Sequence, residues 1–337
     1  MREHAMSTAV VYSIGKGGVG KTTCAAALAL HSSRSFPTLV VSLDPAHNLG
    51  DVLATRLTET PREVSPSLWA SEVNMEAAIN RYLKDSSEKL RQMYQYLKVI
   101  NMEGYLDAIK MSPGIEEYAT LQAIEEILSQ VDGRYELIVM DTPPTGLTLR
   151  VLALPQVSLM WGERIGRLRK EILNKRQMMD NIHGERRLVL DGREHKMPSD
   201  PKTDPVMNEL ETYTSRMRNL SRLQSDAHRS RVMPVMNADR LSLFETRRAL
   251  ESLEKLKMSV GPIIVNKVGM KPTDGETAKA IASELRREVK TLPFMEKEPV
   301  GLPMIEMVAG QLDFTRWLPD TLAARDGDVR APRKVEN

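Results

Sequence analysis

Residues 15–23 read Gly15-Lys16-Gly17-Gly18-Val19-Gly20-Lys21-Thr22-Thr23, with four glycines, two lysines and two threonines in nine positions. Glycines let the backbone wrap closely around a phosphate chain with its N–H groups pointing inward, and the N-terminus of a following helix adds positive potential. Residues 10–14 have the composition of a buried strand, and residues 22–31 that of a helix of small residues. Together, this strand, loop and helix favour a phosphate-binding loop over a flexible glycine-rich linker.

The loop matches the pattern G-x-x-x-x-G-K-[ST], which binds the phosphates of a nucleotide. Lys21 would reach the β- and γ-phosphates, and the hydroxyl of Thr22 would complete the ligand shell of a Mg²⁺ ion. Lys16 is a second lysine that this pattern does not need. Because an unpaired ammonium would be repelled by Lys21, we expect Lys16 to serve a second nucleotide.

The composition limits the classes of function. The 337 residues suffice for one large α/β domain with insertions or for two smaller domains. The formal net charge of +2 gives no general electrostatic reason to bind nucleic acid, so no nucleic-acid partner is expected. Because the sequence has no long apolar run and residues 1–7 do not resemble a signal peptide, we expect a cytoplasmic protein.

The single cysteine, Cys24, lies on the helix that follows the phosphate-binding loop. Small buried residues pack at such positions, so the sequence predicts a structural thiol and not a reactive one. One thiol per subunit in a buried position cannot build a four-sulfur iron–sulfur or zinc site.

Strand-like apolar runs recur along the chain, and each ends in a polar residue. These runs are residues 38–43 before Asp44, 137–140 before Asp141, 232–236 before Asn237-Ala238-Asp239, and 263–265 before Asn266. Nearly continuous apolar strands that alternate with helices predict an α/β fold with a doubly wound, mostly parallel sheet. In such folds ligands bind at the carboxyl ends of the strands, where all these polar residues fall.

Two acidic segments follow these strands. Asp44 would leave its strand near the Mg²⁺ ion, and Asp51 could position the attacking water; alternatively, Asp44 forms a turn and Asp51 caps a helix. Asp141 begins the segment Asp141-Thr142-Pro143-Pro144-Thr145-Gly146, in which it would hold the Mg²⁺ shell through water. The prolines stiffen this segment and Gly146 offers a hinge, which indicates a switch that reports the γ-phosphate; a plain turn after the strand is the alternative.

Two stretches, residues 75–117 and 156–229, carry apolar residues at helical spacing and predict an inserted α-helical subdomain. Within it residues 184–205 are charged and contain three prolines, so we expect a mobile loop there. The nucleotide-binding core would then comprise residues 1–74, 118–155 and 230–323, followed by a polar tail over residues 324–337.

The chain resembles the deviant Walker-type ATPases, which include the arsenite-pump ATPase ArsA and the ATPase that targets tail-anchored membrane proteins in the guided-entry pathway. Six motifs carry the resemblance, in order: residues 15–23, 44–51, 111–115, 141–150, 242–246 and 263–266. The resemblance implies a Mg²⁺-dependent enzyme that hydrolyses ATP as a head-to-head homodimer. In that dimer Lys16 would touch the phosphates of the ATP bound by the other subunit.

The resemblance also implies the roles of individual residues. Asp51 would activate the water, with Lys16 and Lys21 as the other catalytic residues, and the metal-site residues would be Thr22, Asp44 and Asp141. The implied nucleotide-binding residues are Gly15, Lys16, Gly17, Gly18, Val19, Gly20, Lys21, Thr22, Thr23, Asn48, Asp239, Asn266, Pro293 and Phe294. Asn266 would read the adenine, Asp239 stands where the family usually has Glu, and residues 293–300 match the loop on the adenine side.

Two departures from the family pattern matter. Residues 269–288 contain no cysteine, although guided-entry ATPases usually carry there a C-x-x-C pair whose zinc bridges the dimer. Arsenite-pump ATPases bind metalloid through several thiols, and this chain has one. Neither a bridging zinc nor arsenite binding is therefore expected.

The helical insertion of guided-entry ATPases forms a hydrophobic groove for a transmembrane helix, so hydrophobic transmembrane segments of client proteins are the implied partners. Methionines would supply an adaptable apolar surface, unless they pack in the core: Met93, Met102, Met160, Met178, Met179, Met207 and Met217. A basic run over residues 164–176 would meet an acidic membrane receptor or form a solvated helix face. The alternatives to client targeting are the catalytic subunit of an arsenite or antimonite efflux pump and a partition-type ATPase that binds DNA.

Overall fold

The computed structural model describes residues 8–46, 48–93, 112–130, 133–184, 187–190, 193–196 and 198–330. The chain divides into two compact units. The first unit comprises Met1–Ala78, Thr120–Leu152 and Leu223–Asn337, and the second comprises Ile79–Ala119 and Ala153–Arg222.

The strands form one large sheet in the first unit and a small antiparallel pair in the second. Their bounds are β1 Ala9–Ile14, β2 Thr38–Ser42, β3 Arg62–Ser65, β4 Leu68–Glu72, β5 Leu137–Asp141, β6 Arg187–Leu190, β7 Arg193–Lys196, β8 Ser230–Asn237, β9 Ile263–Val268 and β10 Val289–Pro293. The large sheet has the order β10-β9-β8-β1-β5-β2-β4-β3, and its pairs are parallel except for β3 with β4. The prediction of an α/β fold with a mostly parallel sheet is confirmed.

The helices alternate with these strands. Their bounds are α1 Lys21–Ser32, α2 Asn48–Val52, α3 Met75–Met93, α4 Ile115–Gln130, α5 Thr145–His183, α6 Pro205–Ser225, α7 Arg240–Lys255, α8 Asp274–Leu285, α9 Leu302–Ala309 and α10 Asp320–Arg330. A short 3-10 helix at Phe314–Trp317 precedes α10. In the part of the chain that the structure describes, no helix is both long and apolar enough to span a bilayer.

Strand β1 lies inside the sheet, between β5 and β8. The chain runs from β1 through α1 to β2, which lies beyond β5, whereas β8 pairs with the other edge of β1. A point where strand order reverses in this way opens a crevice outside the carboxyl ends of the strands. The loop at residues 15–20 therefore emerges where an open α/β sheet binds its ligands.

Both faces of the sheet are covered. Val235 and Ile264 belong to the hydrophobic cluster that contains the buried residues of α1, while Met236 and Val265 belong to a second cluster with α7 and α8. Because neighbouring residues of a strand point to opposite faces, the two clusters lie on opposite sides of the sheet. The apolar runs of the central strands are buried for this reason.

The structure differs from the sequence interpretation at several places. Residues 187–190 and 193–196 form an antiparallel pair within the stretch that the sequence indicates as a loop. Helix α10 continues to Arg330, into the stretch that the sequence assigns to a polar tail. Helix α5 runs through Pro155, where the sequence places the end of the core, because proline interrupts the main-chain bonding of one helical turn without always ending a helix.

Within the second unit, α5 packs closely on α6. A Cβ atom at Gly162 would lie 2.4 Å from the Cγ2 atom of Thr214, so only glycine allows the two backbones to approach this far. The hydroxyl of Tyr213 donates to the Oγ atom of Ser158 at 2.9 Å. This contact adds a polar link between the two helices.

A bidentate ion pair ties α5 to the start of α6. Arg169 donates to both carboxylate oxygens of Asp204, at 3.1 and 2.7 Å, and this buried carboxylate also accepts from the N–H of Met207. Although burial raises the pKa of Asp204, the bonds from Arg169 and Met207 outweigh that effect and lower it. Arg169, which belongs to the predicted basic run, therefore stabilises the fold through this ion pair.

Candidate functional site

The loop between β1 and α1 has a shape that requires glycine. Gly18 and Gly20 have φ angles of 78° and 95°, in the left-handed region. A Cβ atom at Gly15 would lie 2.3 Å from the carbonyl oxygen of Val235, and one at Gly20 would lie 2.3 Å from the Nδ2 atom of Asn266. The predicted phosphate-binding loop thus has the tight backbone that its sequence demands.

Two side chains near the end of β9 donate hydrogen bonds to main-chain carbonyl groups of this loop. The Nδ2 atom of Asn266 donates to the carbonyl oxygen of Val19 at 2.9 Å, and the Nζ atom of Lys267 donates to that of Gly18, also at 2.9 Å. The Oδ1 atom of Asn266 accepts from the N–H of Lys267 at 2.8 Å. Asn266 therefore lies beside the loop, while its predicted role in reading adenine stays a prediction.

Asp141 lies at the centre of the site, fully buried at the end of β5. Its Oδ2 atom accepts a hydrogen bond of 2.8 Å from the hydroxyl of Thr22 and a longer one of 3.4 Å from Ser42, whereas its buried Oδ1 atom has no partner. Burial raises the pKa of Asp141 to about 7, against the lowering effects of Thr22 and Lys21. A buried carboxylate with one unused oxygen is suited to receive a cation or a proton.

Lys21 and Asp44 lie together at the ends of α1 and β2. The Nζ atom of Lys21 is 3.8 Å from the Oδ2 atom of Asp44, and both side chains are largely buried. The Oδ1 atom of Asp44 also accepts from the N–H of Ala46 at 3.1 Å, which is the turn-forming bond of the alternative interpretation. Asp44 thus forms the turn and faces the site lysine at the same time.

The oxygen atoms around Asp141 fit a Mg²⁺ ion. Mg²⁺ prefers oxygen ligands and is commonly held by one or two protein groups together with phosphate oxygens and water. The hydroxyl of Thr22 and the unused oxygen of Asp141 are of that type, and the carboxylate of Asp44 adds negative charge nearby. Among the described residues no group of three or more His, Cys, Asp or Glu side chains could hold a metal without such additional ligands.

Asp51 lies on α2, with its side chain exposed. It is the fourth residue of that short helix and not its first, so the alternative of an N-cap is not what the structure has. The preceding N–H, of Gly50, donates to the Oε1 atom of Glu72 at 2.8 Å. Asn48 begins the helix and is also exposed, whereas His47 of the same motif lies outside the described residues.

Glu72 is a site residue that the sequence interpretation missed. It is the last residue of β4, and its carboxylate anchors the backbone beside Asp51. Strand β4 has the burial pattern of a half-covered strand, and a strand prediction over residues 68–72 would have placed Glu72 at the carboxyl end of the sheet with the other acids.

Lys16 is half exposed and has a charged neighbour within its own chain. Its Nζ atom lies 3.7 Å from the Oε1 atom of Glu245 on α7, and the two side chains are 40% and 39% exposed. The repulsion from Lys21 that the sequence suggests is therefore opposed by a carboxylate. At this exposure the ion pair is weak, and Lys16 stays available to a stronger partner.

The segment after Asp141 is hydrogen-bonded to β1 and to the phosphate-binding loop. The hydroxyl of Thr142 donates to the carbonyl oxygen of Ser13 at 2.7 Å, and the N–H of Thr145 donates to that of Gly15 at 3.2 Å. Gly146 lies in the first turn of α5 and is helical, while its predicted role as a hinge stays a prediction. The start of α5 is thereby bonded to the loop that would hold the phosphates.

The remaining predicted nucleotide residues lie on the same edge of the sheet. Asp239 caps α7, with its two carboxylate oxygens accepting from the N–H and the hydroxyl of Ser242, both at 2.8 Å. Pro293 ends β10, and the N–H of the exposed Phe294 donates to the carbonyl oxygen of Val268 at 2.8 Å. Asp239 is thus the N-cap residue of α7, a role that the sequence analysis did not predict. Its contact with a nucleotide stays a prediction.

Cys24 has the structural environment that the sequence predicts. Its side chain is fully buried within α1, and burial raises the pKa of its thiol to about 12. The buried carboxylate of Asp141 adds to this effect by disfavouring a second negative charge. The thiol is therefore protonated at neutral pH and is a poor nucleophile.

Comparison with known proteins identifies the family of this chain. The family model of anion-transporting ATPases, ArsA_ATPase, matches residues 8–313. A putative arsenical pump-driving ATPase of Chlorobaculum tepidum is 32% identical over 94% of this chain and 79% of its own length. ATPase GET3C of Arabidopsis thaliana is 29% identical over 87% of this chain and 75% of its own length.

A second putative arsenical pump-driving ATPase, from Aquifex aeolicus, is 26% identical over 90% of this chain and 97% of its own length. The match spans the phosphate-binding loop, the two acidic segments and the end of β9, which are the parts that form the site. The chain therefore belongs to the anion-transporting ATPase family, named for ArsA, and is an ATPase.

Proposed function

We propose that this ATPase is a homodimer whose nucleotide-driven closure forms a hydrophobic site for the transmembrane segments of tail-anchored membrane proteins. The supporting observation is a stripe of exposed apolar side chains on α5. The α5 stripe consists of Trp161, Ile165, Leu168, Ile172, Met179 and Ile182, which are between 36% and 73% exposed. At 100° per residue these six side chains fall within about 100° of one another around the helix.

The α5 stripe has the length of a membrane-spanning helix. From Trp161 to Ile182 it extends for about 32 Å, at a rise of about 1.5 Å per residue. The hydrocarbon core of a bilayer is about 30 Å thick, so the stripe matches a transmembrane helix in length. The exposed Arg164 and Lys175 fall in the same arc of α5, and Lys175 interrupts the stripe between Ile172 and Met179. Gly162, which packs against α6, lies about 100° from Trp161, so packing within the unit leaves the stripe uncovered.

The methionines divide between the two roles that the sequence allows. Met160, Met178 and Met179 are exposed on α5, where flexible thioethers would adapt to clients of varied sequence. Met217 is fully buried, so for this residue the core interpretation is correct. Met93 and Met102 have side chains outside the described residues.

The homodimer is supported by the surface around Lys16. Exposed large apolar side chains occur near the carboxyl edge of the sheet at Leu241, Phe244, Met270 and Phe294. Exposed apolar residues on the edge of the sheet that also carries a weakly paired lysine are suited to an interface in which Lys16 reaches the phosphates bound by a second copy. In that interface Glu245 would release Lys16, since a nucleotide phosphate carries more negative charge than one carboxylate.

In this proposal each residue of the site has a separate role in ATP hydrolysis. Lys21 and the main-chain N–H groups of residues 16–22 bind the β- and γ-phosphates, and Lys16 of the second subunit neutralises charge on the γ-phosphate. Asp51 accepts a proton from the attacking water, and its exposed position on α2 leaves it free to approach. When bound, Mg²⁺ neutralises charge on the phosphate oxygens, and Thr22 and Asp141 would hold it.

The proposal is tested by producing the protein together with a tail-anchored membrane protein in one host and purifying a tagged copy. We expect a complex that stays in solution without detergent. Leu168→Asp should reduce capture strongly, because a carboxylate in the α5 stripe would be desolvated by the client. Lys170→Asp, on the opposite side of α5, is the matched control, and absence of capture by an active wild-type ATPase would contradict the proposal.

The main alternative is the catalytic subunit of an arsenite or antimonite efflux pump, which the names of two relatives favour. Metalloids bind thiolates, whereas the one thiol of this chain is buried with its pKa raised to about 12. We therefore expect ATP hydrolysis to be unchanged by arsenite or antimonite. Stimulation by either ion would favour the pump over client targeting.

A further inference from the structure

We propose that Lys267 is a positioning residue of the phosphate-binding loop, acting with Asn266 as a clamp on two consecutive peptide groups. Its ammonium donates to the carbonyl oxygen of Gly18, and the amide of Asn266 donates to that of Val19, each at 2.9 Å. The two residues also bond to each other, through the Oδ1 atom of Asn266 and the N–H of Lys267. This inference concerns the ATPase activity on which the proposed function also rests.

The clamp fixes the direction of two N–H groups. In a planar trans peptide the carbonyl oxygen and the following N–H point in opposite directions. A carbonyl of Gly18 held toward β9 therefore turns the N–H of Val19 away from β9, and the carbonyl of Val19 does the same for the N–H of Gly20. These are donors that a phosphate-binding loop presents to its anion, so the clamp prepares them before the nucleotide arrives.

The charge of Lys267 adds to this effect. A hydrogen bond from an ammonium to a carbonyl is stronger than one from a neutral donor. It also polarises the peptide group, which makes the N–H on the other side a better donor to a phosphate oxygen. The neutral amide of Asn266 cannot supply this part, so we assign it to Lys267 alone.

The backbone at Lys267 has a conformation that is uncommon for a lysine. Its φ angle is 57°, in the left-handed region that glycine and asparagine adopt more readily than lysine. Lys267 directly follows Asn266, whose side chain donates to the carbonyl oxygen of Val19. In this backbone conformation the ammonium of Lys267 contacts the carbonyl oxygen of Gly18.

Three variants separate the ammonium from the backbone effect. Lys267→Asn removes the charge but keeps a residue that tolerates a positive φ angle, and Lys267→Arg keeps a charged donor. Lys271→Asn removes an exposed lysine four positions along the chain and is the matched control. Each nucleotide-free protein is titrated with a non-hydrolysable ATP analogue and Mg²⁺, and its melting temperature is measured separately.

We expect Lys267→Asn to weaken binding of the analogue about tenfold, the effect of one charge-assisted hydrogen bond. Lys267→Arg should restore most of the affinity, and Lys271→Asn should bind like the wild type. Unchanged affinity in Lys267→Asn would overturn the inference, as would a loss matched by a lower melting temperature of the nucleotide-free protein. If Lys267→Asn weakens binding of the analogue but the wild-type protein captures no client, the proposed function is contradicted and the inference about Lys267 is not.

Discussion

The nucleotide-free protein should become less stable as the pH rises from 6 to 8, because Asp141 must then ionise in a fully buried position. Its pKa is about 7 in the folded protein, whereas an aspartate in an unfolded chain has a pKa of about 3.9. The folded state therefore binds the proton more tightly than the unfolded chain. The resulting stabilisation is fully present below about pH 4 and is lost as the pH rises through about 7.

The size of the effect follows from these two pKa values. Between pH 6 and 8 the contribution of Asp141 to the free energy of unfolding falls by about 1.4 kcal/mol, and over its whole range the contribution is about 4 kcal/mol. Asp141→Asn should remove this dependence. An asparagine has the same size and can still accept the hydrogen bond from Thr22.

The assay is denaturation by guanidinium without nucleotide or Mg²⁺, followed by tryptophan fluorescence at several pH values between 5 and 8. Trp69 and Trp317 report on the unit that contains Asp141. The measured quantity is the difference in unfolding free energy between wild type and Asp141→Asn, and Asp313→Asn controls for the loss of an exposed carboxylate. Parallel pH profiles of wild type and Asp141→Asn, or a wild type that gains stability toward pH 8, would refute the reasoning.

Three further predictions concern the loop and the acid on α2. Lys16→Ala should lower turnover at least about a hundredfold although Lys21 is intact, since a positive charge at the γ-phosphate acts mainly in the transition state; steady-state hydrolysis like that of the wild type would contradict this. Asp51→Asn should bind ATP normally and lose turnover by a similar factor, which equilibrium binding and phosphate release measure separately. Gly20→Ala should lower the unfolding free energy by about 1 to 3 kcal/mol, because its φ angle is 95° and its Cβ atom would overlap Asn266; an unchanged melting temperature would count against that contact.

The central strands and the phosphate-binding loop could be predicted because local sequence determines them. Residues 137–140 are apolar without interruption, and residues 10–14 are apolar except for Ser13, which is typical of strands covered on both faces. The glycines of the loop have no common alternative role beside a strand and a helix. Polar residues at the strand ends then locate the site, and the structure indeed brings Asp44 and Asp141 to Lys21 and Thr22.

The edge of the sheet could not be predicted in the same way. Strand β3 has three polar residues among its four, and none of the four is buried, because an edge strand needs no apolar face on the solvent side. Without β3 and β4 in the prediction, Glu72 had no reason to be placed beside Asp51. Lys267 was missed for a different reason, since a lysine after a strand is ordinarily solvated, and only the fold brings its ammonium to Gly18.

The burial of Cys24 has a practical consequence for labelling. Alkylating reagents react with thiolates, and the only thiol of this chain is inaccessible and protonated at neutral pH. A cysteine introduced on the exposed side of α5, for example Met178→Cys, would therefore be the one site that a maleimide dye modifies. The natural sequence thus already serves as a background for site-specific fluorescence, and no cysteine has to be removed from the helix behind the phosphate-binding loop.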